Sequence, residues 1–359
     1  MKIGLIGLQN SGKTTIFNAL TGLDAETANY SNAANEPNVG MVEVEDERVT
    51  KLSQIYKPQK TIYATIEFMD FVGLTGDKGE GDIFPPNSMA LIKNSDAVAV
   101  VVRNFSDEVI SQTQGKLSPA ADVAKINSEL IFSDFMIAEK RLEKISLNLK
   151  RGVQDSAAKL EKKALTKVVE NLEKEIPIRD LELTESEEKS IRGFQFITQK
   201  PLMIILNSDE DNFGNNDDIL ANLNQKYSTI EFAGRFEMEL SKLDTSEAAD
   251  FMEDMGIKGS ARERLTKFAY NMLGLISFFT VGKDEVRAWT IKEGDDAVTA
   301  AGKIHSDLAR GFIRTECFNF KDLIELGSEK AIKEKGKLRL EGKKYVVQDG
   351  DILNIRFSV

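Results

Sequence analysis

Short, mostly apolar runs rich in β-branched residues punctuate the chain at residues 2–6, 65–70 and 97–102, and again at 202–207 and 229–232. Short runs of this character are what strands buried on both faces require. Glycine-punctuated loops and helical stretches separate them, which predicts an α/β, doubly wound parallel sheet. Between residues 125 and 196 the pattern changes to Lys, Glu, Leu and Ala. Leu142, Ile145 and Leu149 recur there at helical spacing, as do Leu165, Val168, Leu172 and Ile176. Arg151-Gly152-Val153 reads as a turn and Pro177 as a stop. The prediction is an inserted antiparallel helical coiled coil, with two amphipathic helices packed on the body as the alternative. From residue 276 onward, short strand-like runs at 278–281, 286–290, 339–340, 344–347 and 352–357 alternate with turns, and one helix is expected over 299–310. The expected division is a sheet domain of residues 1–125 plus 197–275, a helical insert of 126–196, and an α+β domain of 276–359.

The length of 359 residues fits two or three such domains. No apolar run approaches the ~20 residues of a bilayer span, and the first residues lead into a glycine-rich motif rather than a signal peptide. With Cys317 the only cysteine and His305 the only histidine, neither an internal disulfide nor a Cys/His zinc site can be built. The expected compartment is the cytoplasm, with no membrane partner. A net charge of −11 argues against nucleic-acid binding over the whole surface but leaves a local basic face open.

The chemistry concentrates at the first strand. Gly7-Leu8-Gln9-Asn10-Ser11-Gly12-Lys13-Thr14 matches the phosphate-loop pattern G-x-x-x-x-G-K-S/T between a predicted strand and a predicted helix over 15–20. The glycines let backbone N–H groups converge on phosphate oxygens, and the helix N-terminus adds its positive end. Lys13 is expected to reach the β- and γ-phosphates and Thr14 to ligate Mg²⁺, with Asn10, Ser11, Gly12 and Thr15 completing the cradle. Met69-Asp70-Phe71-Val72-Gly73 ends the next strand as D-x-x-G. Asp70 is placed to hold Mg²⁺ through water, and the Gly73 N–H to sense the γ-phosphate. Asn207-Ser208-Asp209-Glu210 closes a later strand where P-loop GTPases carry N-K-x-D to read guanine. Asn207 is kept, Ser208 replaces the Lys that walls the base, and Glu210 replaces the Asp, so guanine preference should weaken. Guanine reading restored through Asp209 or a loop shift is the alternative.

With these motifs in place, the chain resembles the YchF family of Obg-like ATPases over nearly its whole length. The resemblance rests on the phosphate loop, Ala28-Asn29-Tyr30, Glu36-Pro37-Asn38-Val39-Gly40, Asp46-Glu47-Arg48, Gly79-Glu80-Gly81 and Asn207-x-x-Glu210. Near the C-terminus it adds Glu285-Val286-Arg287-Ala288-Trp289-Thr290, Ile304-His305-Ser306-Asp307, Gly311-Phe312-Ile313-Arg314 and Tyr345-Val346-Val347-Gln348-Asp349-Gly350-Asp351. It implies a P-loop G domain, a helical insert and a β-grasp TGS domain. It also implies slow hydrolysis of ATP, weaker GTP binding, and a ribosome-associated switch. Departures bear on hydrolysis. Ala34 stands where members carry a switch Thr. Gln112 stands where the family's proposed catalytic His is found, and Leu74 agrees with the hydrophobic residue at the usual Gln position. A nucleotide-gated interaction module with little hydrolysis is the alternative function, and a GTPase the third.

Smaller signals complete the expectations. Asn10 matches an Asn that helps hold K⁺ in potassium-dependent P-loop enzymes, or else shapes its own loop. Lys283, Arg287, Lys292, Arg310 and Arg314 are a candidate RNA-facing patch on the TGS domain, the coiled coil being the other candidate contact, or else a solvated face. His305, Cys317 and Trp289 read as structural. Because the tail carries no phosphate-site motif, its removal is expected to leave nucleotide affinity nearly unchanged.

Overall fold

The structure is a computed structural model that describes residues 1–25, 37–71, 86–108, 110–111, 117–151 and 155–358. The strands, in chain order, are β1 (Lys2–Ile6), β2 (Asn38–Val44), β3 (Lys60–Ile62), β4 (Ala64–Asp70), β5 (Ala97–Asn104), β6 (Leu202–Ser208), β7 (Ser228–Phe232), β8 (Leu275–Val281), β9 (Glu285–Lys292), β10 (Phe312–Asn319), β11 (Arg339–Glu341) and β12 (Asp351–Phe357). Contacts gather them into two compact units. The first comprises Met1–Met41 and Glu67–Ala261, the second Val42–Ile66 and Arg262–Val359. The 126–196 stretch falls within the first unit, and residues 42–66 group with the second.

The first unit carries the expected sheet, ordered β2-β4-β1-β5-β6-β7 and parallel from β4 to β7. β1 runs parallel to both β4 and β5, β5 to β6, and β6 to β7. β5 and β6 are buried at every position, as their unbroken apolar runs require. The helix Lys13–Thr21 follows β1 through the phosphate loop. One helix, Pro119–Lys150, divides its length between two cores. Val123, Ile126 and Leu130 pack on the sheet with Val98, Val100 and Ile204. Farther along, Ile131, Ala138 and Ile145 pack with Ala164, Leu165, Val168 and Leu172 of the helix Ser156–Leu172, which folds back along it. Arg141 and Glu161 pair across the two helices at 2.7 Å. Ile176, expected in this seam, lies past the helix end and is exposed. Ile178, Ile191 and Phe196 take its place in the core.

The return to the sheet is pinned by buried Asp134, whose carboxylate accepts from the N–H groups of Ile197 and Thr198 and from the Thr198 hydroxyl. Buried Glu187 pairs with Lys163 and Lys167 at 3.2 and 2.8 Å. The Lys167 hydrogen bond, the Thr184 N–H and Lys163 hold its carboxyl down at about 2 from an ordinary 4.5. A carboxyl lowered on folding stabilises the native state above its unfolded pKa. Acid unfolding should therefore draw on this group between pH 4.5 and 2, and Glu187→Gln should flatten the parent's loss of stability across that window in an acid titration.

The second unit is a sheet ordered β11-β10-β12-β8-β9-β3. β8 and β9 form an antiparallel hairpin, β12 joins β8 in parallel, and β10 pairs antiparallel with both β11 and β12. The helix Ala297–Ile304 packs Ala300 against Phe278, Ile291, Cys317 and Leu353, giving the expected α+β layer. Two local expectations are corrected. The helix expected over 299–310 is two helices, because extended His305 interrupts it and its Nδ1 accepts from the Asp307 N–H to start Ser306–Arg310. The run 344–347 is not a strand; the buried Asp351 carboxylate accepts from Tyr345 Oη and the Gln348 N–H and draws it into a turn. β10 has no counterpart among the runs read from the sequence, and its pairing with β12 shifts register between Phe312 and Arg314.

Residues 42–66 are tied to this unit throughout. β3 runs parallel to β9. Arg48, on the helix Glu47–Tyr56, pairs with Asp46 and Asp349 and lies 5.0 Å from the Phe279 ring centroid. Tyr56 Oη donates to Glu329. Among the described residues no helix is long and apolar enough to cross a membrane.

Candidate functional site

The loop after β1 closes on itself for steric reasons that its sequence makes visible. Gly12 starts the helix at φ +87°, and a Cβ there would collide with the Asn207 amide. At Gly7 a Cβ would run into the Val101 carbonyl and lie 2.7 Å from Ser11 Oγ. Asn10 takes the left-handed conformation at φ +60°, which Asn tolerates better than most residues.

Lys13 projects back over this loop, and its Nζ donates to the carbonyls of Gly7 and Leu8 at 3.1 and 2.9 Å. Burial lowers its pKa to about 8, partly offset by the charge of Asp70. Thr14 Oγ1 donates to Asp70 Oδ2 at 2.8 Å, and Asn38 Nδ2 reaches the same oxygen at 3.3 Å. Burial raises the Asp70 pKa against the opposing pull of Thr14, Lys13 and Asn38. Asp70 Oδ1 is buried with no hydrogen-bond partner. A buried carboxylate oxygen left unpaired beside a threonine hydroxyl suits a hard divalent cation that takes oxygen ligands. The predicted neighbours Thr14 and Asp70 are thus brought together. Asn38 is a member of the cluster that the motif reading missed, although it lies in the 36–40 stretch that carries the family resemblance.

Asn207, at the end of β6, is clamped rather than free. Its Nδ2 donates to the Ser11 carbonyl and its Oδ1 accepts from the Gly234 N–H, both at 3.1 Å. It joins the phosphate loop to the start of the helix Gly234–Leu240. Glu210 stands exposed at the start of a short turn, Glu210–Asn212, beyond it.

A family model described as a 50S ribosome-binding GTPase matches residues 2–138, and a YchF GTPase C-terminal model, described as a protein of unknown function, matches 275–358. The chain is similar to the curated Ribosome-binding ATPase YchF of Bacillus subtilis, at 39% identity over 363 residues and 99% of both chains. The Escherichia coli O157:H7 protein of the same name is 38% identical, over 100% of this chain and 99% of its own. The chain belongs to the YchF family. Its fold also follows the solved Schizosaccharomyces pombe YchF GTPase, with a TM-score of 0.83 at 31% identity, covering 99% of this chain and 97% of that one.

The names of these YchF relatives divide between ATPase and GTPase, so the choice of base rests on this chain's own residues. Gly73, Leu74, Ala34 and Gln112 lie outside the described residues. Thr15 follows Thr14 in the helix, and Ser11 Oγ is buried without a partner. His305 caps a helix, as the structural reading expects. Cys317 is buried, with its thiol pushed up to about 12 by burial first and Asp351 next. Trp289 stacks on Phe278, and the Arg287 guanidinium lies 4.1 Å from its ring centroid.

Lys13 gives this YchF chain a measurable pH signature. A lysine lowered to about 8 loses its proton above that pH in the nucleotide-free protein, and triphosphate favours the protonated form. Mg·ATP affinity should be flat below pH 8 and fall about tenfold per pH unit above it. Titration by fluorescence or calorimetry from pH 6.5 to 9.5 checks this, and Lys13→Ala should show no such slope.

Proposed function

We propose that this chain binds Mg·ATP in preference to Mg·GTP, hydrolyses it slowly, and serves as a nucleotide-gated partner of the ribosome in the cytoplasm. The observation that carries the proposal is the cluster of buried Lys13 and Asp70 with half-buried Thr14 at the phosphate loop, which Asn207 joins through the Ser11 carbonyl. The names of the full-length relatives support the ribosomal partner.

In this reading Thr14 and Asp70 hold Mg²⁺, Asp70 through water. Bound there, the ion would offset charge on the β- and γ-phosphate oxygens. Lys13 turns its ammonium from the loop carbonyls to the phosphates, joined by the N–H groups of Asn10 to Thr15. Gly73 senses the γ-phosphate, and Asn10 is the residue that would help hold K⁺. Glu210 and Asn207 serve the base. A Glu in place of the shorter Asp shifts the acceptor pair that guanine's two donors need, and no Lys walls the slot. ATP should bind at least several-fold tighter than GTP, and Glu210→Asp should narrow the gap. Parallel titrations decide it, with equal or better GTP binding by the parent chain sinking the adenine preference.

Hydrolysis is tested in single turnover, in K⁺ and Na⁺ buffers. The expected time scale is minutes or longer, about that of intrinsic switch enzymes. Gln112→Ala should slow it and Gln112→His speed it. Ala34 and Gln112 favour the second reading, a nucleotide-gated module that hardly hydrolyses, and rates unmoved by either variant would select it. Co-sedimentation with ribosomes in ATP and in ADP tests the gating. An RNA contact through Lys283, Arg287, Lys292, Arg310 and Arg314, or through the helical pair, would appear as loss of co-sedimentation on charge reversal.

A further inference from the structure

The loop that follows β6 is fastened at both ends to one buried carboxylate. Ser208 Oγ donates to Glu231 Oε1 at 2.6 Å at the loop's start. At its far end the Gly214 N–H donates to Glu231 Oε2 at 3.2 Å, and Asn216 Nδ2 donates to Oε1 at 2.6 Å. Asn104, at the end of β5, donates to Ser208 Oγ at 2.9 Å. Asp209 Oδ2 accepts from the Ser106 N–H at 2.8 Å. Asn104, Ser208 and Glu231 are all buried. Between the fastened ends lies the turn Glu210–Asn212, which presents Glu210 to solvent.

This arrangement explains what Ser208 does in place of a lysine. Its hydroxyl turns inward to the β6–β7 edge, where Leu206 and Glu231 are register partners, instead of walling a base. An irregular loop of this length would otherwise sample many conformations, and a carboxylate that collects three donors from it removes that freedom in advance of binding. Buried and satisfied polar networks of this kind specify one geometry.

We propose that Glu231, acting through Ser208, Gly214 and Asn216, is a positioning residue that sets base selectivity by holding Glu210 in place at the purine. The proposal rests on the reading that the Asn207 loop faces the base. Gln at position 231 keeps one acceptor but turns an NH₂ toward a donor, so one end of the turn is released. Ser208→Ala removes one of the three donors to Glu231, and with it the acceptor of Asn104.

The test measures the affinity of the full-length parent, Glu231→Gln and Ser208→Ala for Mg·ATP, Mg·GTP and Mg·tripolyphosphate, the last as a probe without a base. In Glu231→Gln the ATP to GTP affinity ratio should move by about tenfold, while tripolyphosphate affinity stays within roughly twofold. Ser208→Ala should move the ratio in the same direction by less. A ratio unmoved in the folded variants overturns the proposal, and so does parallel weakening of all three ligands, which would mark a merely structural role. If Glu231→Gln does not fold, Ser208→Ala and Asn216→Ala decide by the same criteria. A parent that binds both nucleotides equally overturns the adenine preference alone, because the shift is measured against the parent.

Discussion

Lys13→Ala should lower Mg·ATP affinity by at least about a hundredfold and leave the thermal midpoint within a few degrees of the parent. Two charge-assisted hydrogen bonds to phosphate oxygens are lost together with a full positive charge, and about 3 kcal/mol is the expected scale. The fold loses little. The Gly7 and Leu8 carbonyls each lose the Lys13 donor, and the Leu8 carbonyl keeps the Ser11 N–H at 3.3 Å. Removing a buried amine also relieves the desolvation cost that lowers its pKa to about 8. Calorimetric titration beside a thermal melt separates the two effects. A variant that binds as tightly as the parent shows that the phosphates are held elsewhere; one that melts far lower shows that Lys13 is structural.

Much of this site is readable from spacing alone. Two glycines and a Lys-Thr pair between a strand and a helix leave little freedom, because Gly7 and Gly12 stand where backbone or an amide would meet any side chain. Asp70 is legible from its place at a strand end. Its pairing with Thr14 is long-range, yet both ends are fixed by adjacent parallel strands, β1 and β4. What sequence does not carry is the identity of the second partners. Glu231 is the one charged residue in a run that reads as a buried strand, and nothing local shows that three donors from an earlier loop hold it there. Asn207 carries no sign that both of its amide atoms are already engaged by backbone. Nor does any local pattern show that residues 42–66 pair with strands more than two hundred residues later, since β3 is three residues long and gives no periodicity.

That last pairing reverses an expectation and gives the second large effect. Judged from motifs, removing residues 276–359 should spare nucleotide binding. The structure predicts otherwise. Truncation takes β9 away from Lys60, Thr61 and Ile62, takes Asp349 and Phe279 away from Arg48, and takes Glu329 away from Tyr56. The helix Glu47–Tyr56 buries Val49 and Leu52, and a strand left with an open edge is prone to local unfolding. The chain leaves the first unit within β2 and re-enters it within β4, whose last residue is the proposed metal ligand Asp70. If local opening leaves about a tenth of the molecules competent, apparent Mg·ATP affinity falls about tenfold. Limited proteolysis should then cut the truncated chain within residues 42–66 and spare the parent, and titration should show the weakened affinity. A truncated chain that resists cleavage there and binds Mg·ATP like the parent would overturn this account. For the same reason, ribosome binding is better probed in the full chain, by charge reversal at exposed Lys283, Lys292 and Arg310, than by deletion. A deletion would lose co-sedimentation through unfolding of 42–66 whether or not the C-terminal residues touch the ribosome, whereas the surface variants keep every tether described for that segment.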